Sequence, residues 1–184
     1  MTSPKVAIEA GVSSSEDVTE VLRSYPLIEE RIHDEIEWYV SGPFRIIIDD
    51  CTVTASPIAD DGMIDEYTWK QLIALHVALR RILEGEAVDL PILDNPGQIE
   101  ITPTDEDVEL TFDPNTEGWE PRSRTPGIGA LAGAVLTATE RHRGALLELN
   151  EVLEESALIK HLDEQQRRTE DSIQEHGVRG MSDS

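Results

Sequence analysis

Between Asp65 and Glu84 the apolar side chains return every third or fourth position. Trp69, Leu72, Ile73, Leu79 and Leu83 fall on one line with His76, and Leu75 and Ile82 widen it. That period predicts an amphipathic helix, with Gly85 placed to stop it. The period then changes to two. Ile99 and Ile101 alternate with Glu100 and Thr102, and Val108, Leu110 and Phe112 alternate with Glu109 and Thr111. The turn-rich Pro103-Thr104-Asp105-Glu106 joins the two runs, so residues 98–112 read as a hairpin with one buried face and one wet, acidic face.

The same reading orders the rest of the chain. Residues 1–12 are expected to be a flexible arm with a short strand around Val6–Ile8. Ser13-Ser14-Ser15-Glu16 carries the capping-box spacing, and a helix should run from there to Ser24. Tyr25-Pro26 interrupts it. Leu27 to Val40 reads as a second helix, stopped by Ser41-Gly42-Pro43. Phe44 to Ser56 is rich in β-branched residues and is either one bent strand or two pivoting on Asp49-Asp50. Leu90 to Gly97 holds two prolines and a turn signal, and Asp113 to Pro126 reads as a polar loop. From about 129 to 166 the pattern is helical throughout, with no internal proline. Residues 167–184 lose the stripe and read as a disordered acidic or polar tail. The expected fold is therefore α+β: a small antiparallel sheet packed by helices, forming one domain over 13–166 with a long C-terminal helix.

Charge changes this picture more than anything else. The chain has 38 Asp and Glu against 15 Lys and Arg, a formal charge of −23 over 184 residues. Only Lys5, Lys70 and Lys160 are lysines. Such a surplus repels itself in dilute buffer, and molar salt screens it to about 3 Å. We therefore expect a protein adapted to a salt-accumulating cytoplasm. Nucleic acid and anionic membranes are not expected partners, because binding them rests on clustered Lys and Arg. Three Trp, three Tyr and two Phe leave a core that must be aliphatic. One cysteine, Cys51, excludes an internal disulfide. Residues 1–17 lack an apolar segment of signal-peptide length, and no apolar run reaches the length of a membrane span. A cytoplasmic location is expected.

Few motifs suggest chemistry. Gly127-Ile128-Gly129-Ala130-Leu131-Ala132-Gly133 resembles a dinucleotide loop in spacing alone. Polar, proline-bearing residues precede it where a buried strand is required, and no Walker lysine follows. It is better read as a helix entry, with Thr125 as N-cap and Pro126 at the first helical position. Gly129 and Gly133 should then let another backbone approach closely, so that Gly133→Leu would overpack. Asp113-Pro114-Asn115-Thr116-Glu117-Gly118 mimics half a calcium loop, but Arg124 stands where its closing Glu belongs. Glu30 and His33 form one E-x-x-H with Glu37 beyond it. A di-iron bundle needs two, and His161-x-x-Glu164 runs in reverse. Cys51 follows two aspartates, which disfavour a thiolate. Carboxylate pairs such as Asp60-Asp61 are expected by chance in so acidic a chain.

No catalytic, cofactor-binding or metal-ligating residue is assigned on these grounds. The expected function is a non-catalytic interaction module. It would pair with a second copy or a protein partner through the C-terminal helix, using Gly129, Gly133, Leu146, Leu149 and Leu153. The alternatives are a small enzyme with a pocket near His76, Trp69 and Tyr67, or an acidic antitoxin-like or DNA-mimic-like binder of a basic protein.

Overall fold

The computed structural model describes residues 4–27, 36–54, 63–93 and 97–178. The architecture is α+β, with two small antiparallel sheets packed by helices. In the first sheet β1 (Val6–Ala10) pairs with β2 (Gly42–Ile48). Along its length β2 also pairs with β3 (Cys51–Thr52) and β4 (Ile64–Glu66). The second sheet is a meander of β5 (Val88–Pro91), β6 (Gln98–Pro103), β7 (Val108–Asp113) and β8 (Arg122–Arg124). Helix α1 (Glu16–Ser24) follows β1. Helix α2 (Thr68–Leu83) touches both sheets, and α3 (Ile128–Leu149) and α4 (Ala157–Glu175) pack against it.

Residues 44–54 form a hairpin and not one strand. Asp49 and Asp50 both take positive φ, 49° and 61°, the geometry of a two-residue hairpin turn that Asp tolerates better than most side chains. Asp49 also accepts a hydrogen bond from the Lys5 amide at 2.8 Å, which ties down the start of β1. Residues 6–10 are accordingly not a loose arm: β1 pairs with β2 from Val6↔Ile48 to Ala10↔Phe44. Helix α2 ends as expected. Gly85 has φ 86°, its N–H bonds Ile82 O, and the Glu86 N–H bonds Arg81 O, a Schellman motif. The cap of α1 is Ser15, whose side chain accepts from the Val18 amide, so the capping residue lies two positions after Ser13. Most of the expected second helix, 28–35, and the Asp60-Asp61 pair lie outside the described residues; Ile36–Trp38 is a 3-10 turn.

Three further expectations are corrected. The helix expected over 129–166 is two helices. Asn150 leaves helical geometry (φ −159°, ψ 108°), a 3-10 turn follows over Glu151–Glu155, and Ser156 caps α4 by accepting from the Ile159 amide. The expected disordered tail begins too early, since α4 runs to Glu175. Its buried line Leu158, Leu162, Gln165, Thr169, Ile173 keeps helical spacing through polar members that hide it from an apolar count. Finally, α3 is capped by Gly127 with no side-chain bond, and Thr125 is exposed. The backbone before it is committed to the sheet: Pro126 O accepts from the Val108 amide, Asp107 and Gly127 form a bridge, and the Ile128 amide donates to Glu106 O.

Candidate functional site

Histidine 76 sits on α2 where the stripe placed it, fully buried. Its Nε2 lies 2.9 Å from the Thr139 hydroxyl on α3, and its Nδ1 lies 3.0 Å from the Thr169 hydroxyl on α4. The Thr139 hydroxyl donates to Val135 O at 2.9 Å. The assignment that satisfies every group therefore puts the ring proton on Nε2 and lets Thr169 donate to Nδ1. Arg80, one turn along α2, donates to Thr169 at 3.0 Å and to the Gln165 side-chain oxygen at 2.6 Å. Burial, reinforced by the Arg80 charge, lowers the His76 pKa to about 4. This is a polar pin through three helices. A general base needs reach to a substrate, and both ring nitrogens here are spent on the scaffold.

A second buried histidine escaped the sequence reading. His142 on α3 lies against β1 and donates Nδ1–H to Ala10 O at 3.0 Å. Its Nε2 has no partner among the described residues. Burial again lowers the pKa to about 4, against the small opposing pull of the Ala10 carbonyl. The one available signal was its place on the buried line of α3 with Val135, Ala138 and Leu146.

The residues expected to form an interaction face are largely internal. Gly129, Leu146 and Leu153 are buried, and Leu149 is half-buried against the same core. A Cβ added at Gly133 would meet nothing within 4 Å, so no close neighbour explains that glycine and the overpacking argument is lost. Helix α3 meets β1 instead through His142, whose ring reaches Ala10 O at 3.0 Å. Of the enzyme alternative, Trp69 donates to Leu158 O and stacks edge-on with His161, while Tyr67 meets Trp38 at 5.3 Å between ring centres.

The motifs set aside earlier also have plain partners. Asp113 accepts from the Asn115 amide at 2.8 Å, as an Asx turn does. Glu37 lies 3.6 Å from Lys70 and Glu164 pairs with Arg168; Glu30 and His33 fall outside the described residues. Cys51 accepts from Arg124 at 2.9 Å, which with Arg122 reaching Thr52 O links the two sheets. No group of three His, Cys, Asp or Glu side chains suits a metal among the described residues. None of the described helices is long and apolar enough to cross a membrane.

The outer face of the second sheet is largely exposed. Strand alternation and register put Asp89, Glu100, Thr111 and Ser123 in one cross-strand row. Thr102 and Glu109 face each other in the next, and Gln98 and Asp113 lie on the other side. Asp89 and Glu100 are directly opposite one another, both exposed. Arg122 and Arg124 alternate to the other side of β8, so this face carries carboxylates and no base among its described residues. The class this defines is a two-sheet α+β domain with an uncovered acidic sheet face. Compared with protein-family models, curated proteins and solved structures, the chain matches none.

Proposed function

We propose that this protein is a non-catalytic interaction module of a salt-rich cytoplasm, and that it meets a basic partner through the outer face of the β5–β8 sheet. One observation carries the reading. Asp89 and Glu100 stand in register on an uncovered sheet face, with Glu109 beside them and no cation among them. Like charges directly opposite destabilise a sheet, so the arrangement costs folding energy that a basic partner would return. The surplus of acids supports the salt-rich setting. Pairing through Leu146, Leu149 and Leu153 is not carried forward, because Leu146 and Leu153 would have to leave the domain's own core.

The test compares three proteins for binding to poly-lysine across a KCl series: wild type, the variant D89N/E100Q/E109Q, and a control with three surface acids of α4 neutralised (E170Q/D171N/E175Q). The face variant should lose binding while the control keeps it. Equal losses would reduce the face to its share of a uniformly acidic surface and end the proposal.

A further inference from the structure

A hollow of about 270 Å³ lies between the end of β1, the start of β2 and helix α3. Its floor is Ile8, Ala10, Ala138 and Ala145, and Pro43 and Met63 close the sides. Two backbone groups of the lining are already paired. Ala10 O receives the His142 proton, and the Gly11 amide donates to Pro43 O at 2.9 Å. The small side chains on α3 leave the space.

Two charged side chains stand at the rim, and they differ. Glu9 is held by Arg45 through two bonds of 2.7 and 3.0 Å. Arg141 is exposed and has no hydrogen-bond or ion-pair partner among the described residues. Among the described residues Arg45, Arg81, Arg143, Arg167 and Arg168 have carboxylate neighbours, whereas Arg141, like Arg23, Arg80, Arg122 and Arg124, has none, and of these it is Arg141 that lines the hollow. Because Arg45 holds the Glu9 carboxylate, the one acid lining the hollow among the described residues is already engaged.

We infer that this hollow binds a small monocarboxylate, its short apolar body on the alanine floor and its carboxylate on Arg141. The volume lies just below the roughly 300 Å³ at which drug-sized sites begin, so the ligand is short. The guanidinium matches a carboxylate in bidentate geometry, the strong form of that contact. The protein's net charge opposes any anion in dilute buffer. In molar salt that long-range term is screened within a few ångströms, and the contact at Arg141 decides. This site is separate from the sheet face proposed above and stands or falls without it.

The test is a titration of the full chain with hexanoate in about 2 M KCl, followed by amide chemical shifts, with hexanamide as the uncharged match. Hexanoate should give saturable shifts in β1 and α3. Hexanamide should bind on the order of tenfold more weakly or worse, the loss expected for one charge-assisted contact. Arg141→Gln should weaken hexanoate by a similar factor and leave hexanamide unchanged. Ala145→Leu, at a half-buried position, should remove both. Absence of saturable shifts in β1 and α3, or hexanoate affinity unchanged in Arg141→Gln, overturns the assignment.

Discussion

Asparagine 150 ties the end of α1 to the turn between α3 and α4. Its Nδ2 donates to Leu22 O at 3.0 Å, Arg23 O at 3.3 Å and Tyr25 O at 2.8 Å, closing the C-terminal end of α1. Its Oδ1 accepts from the Val152 amide at 3.0 Å and starts the 3-10 turn. Asn150→Ala removes two well-formed donations and the cap. At about 1 kcal/mol for each net hydrogen bond, the loss is about 2–3 kcal/mol, tempered because the site is half-buried and water can reach some of the carbonyls. For a chain of this size that is roughly 5–10 °C in melting temperature. The sharper variant is Asn150→Asp. It keeps the size and the acceptor for Val152 but replaces both donors with an oxygen aimed at three carbonyl oxygens. Thermal melts by circular dichroism in about 2 M KCl should place Asn150→Asp at or below Asn150→Ala. A melting temperature for Asn150→Asp within about 1 °C of wild type would show that the donations carry no stability and that the kink rests on packing alone.

Four other outcomes follow from the same geometry. Leu153→Ala should cost about 2–5 kcal/mol at every protein concentration, since the side chain fills the core; a loss that appears only on dilution would return Leu153 to an intermolecular role. Gly133→Ala should be neutral or stabilise by up to about 1 kcal/mol, because the glycine is inside a helix with open space at its Cβ; clear destabilisation in melts would refute that. His76 and His142 are both held near pKa 4, below the usual 6.5, so the unfolded chain binds the protons first. Stability should be full above about pH 6.5 and fall as pH drops toward 4, by on the order of 3 kcal/mol for each histidine, and His76→Gln should flatten that slope in denaturant titrations at fixed salt. Asp89→Lys places opposite charges in register with Glu100 and should stabilise by about 0.2–1 kcal/mol in dilute salt, with the gain shrinking in molar KCl; a gain independent of salt would point to something other than charge.

The sequence announced those elements whose stabilising residues are apolar and evenly spaced. Helix α2 and the β6–β7 hairpin were legible because Leu72, Leu79, Ile99, Ile101, Leu110 and Phe112 are buried at the period of their own element. Strands β5 and β8 were hidden by composition. Val88–Pro91 ends in a proline and Arg122–Arg124 is wholly polar, yet both lie at sheet edges, where one side of the backbone needs no partner and proline is tolerated. The division between α3 and α4 was hidden for a different reason. Leu146, Leu149, Leu153, Leu158 and Leu162 fit a continuous helix, and only Asn150 and Ser156, both favoured N-cap types, mark the break.

That misreading also set the first idea of the interaction surface. A straight helix over 129–166 would carry a leucine stripe far past its own domain, and such a stripe asks for a second chain. With the kink at Asn150, α4 returns onto α2, and the stripe is consumed by the fold. What the kink makes possible is the polar pin, because only a returning α4 can bring Thr169 within 3.0 Å of His76, 93 residues away in sequence. On the proposed reading, partner-facing chemistry comes from surfaces the core does not use. The row of carboxylates on the second sheet is one of them, and it rests on the register of each strand against its neighbour, which no apolar periodicity reports.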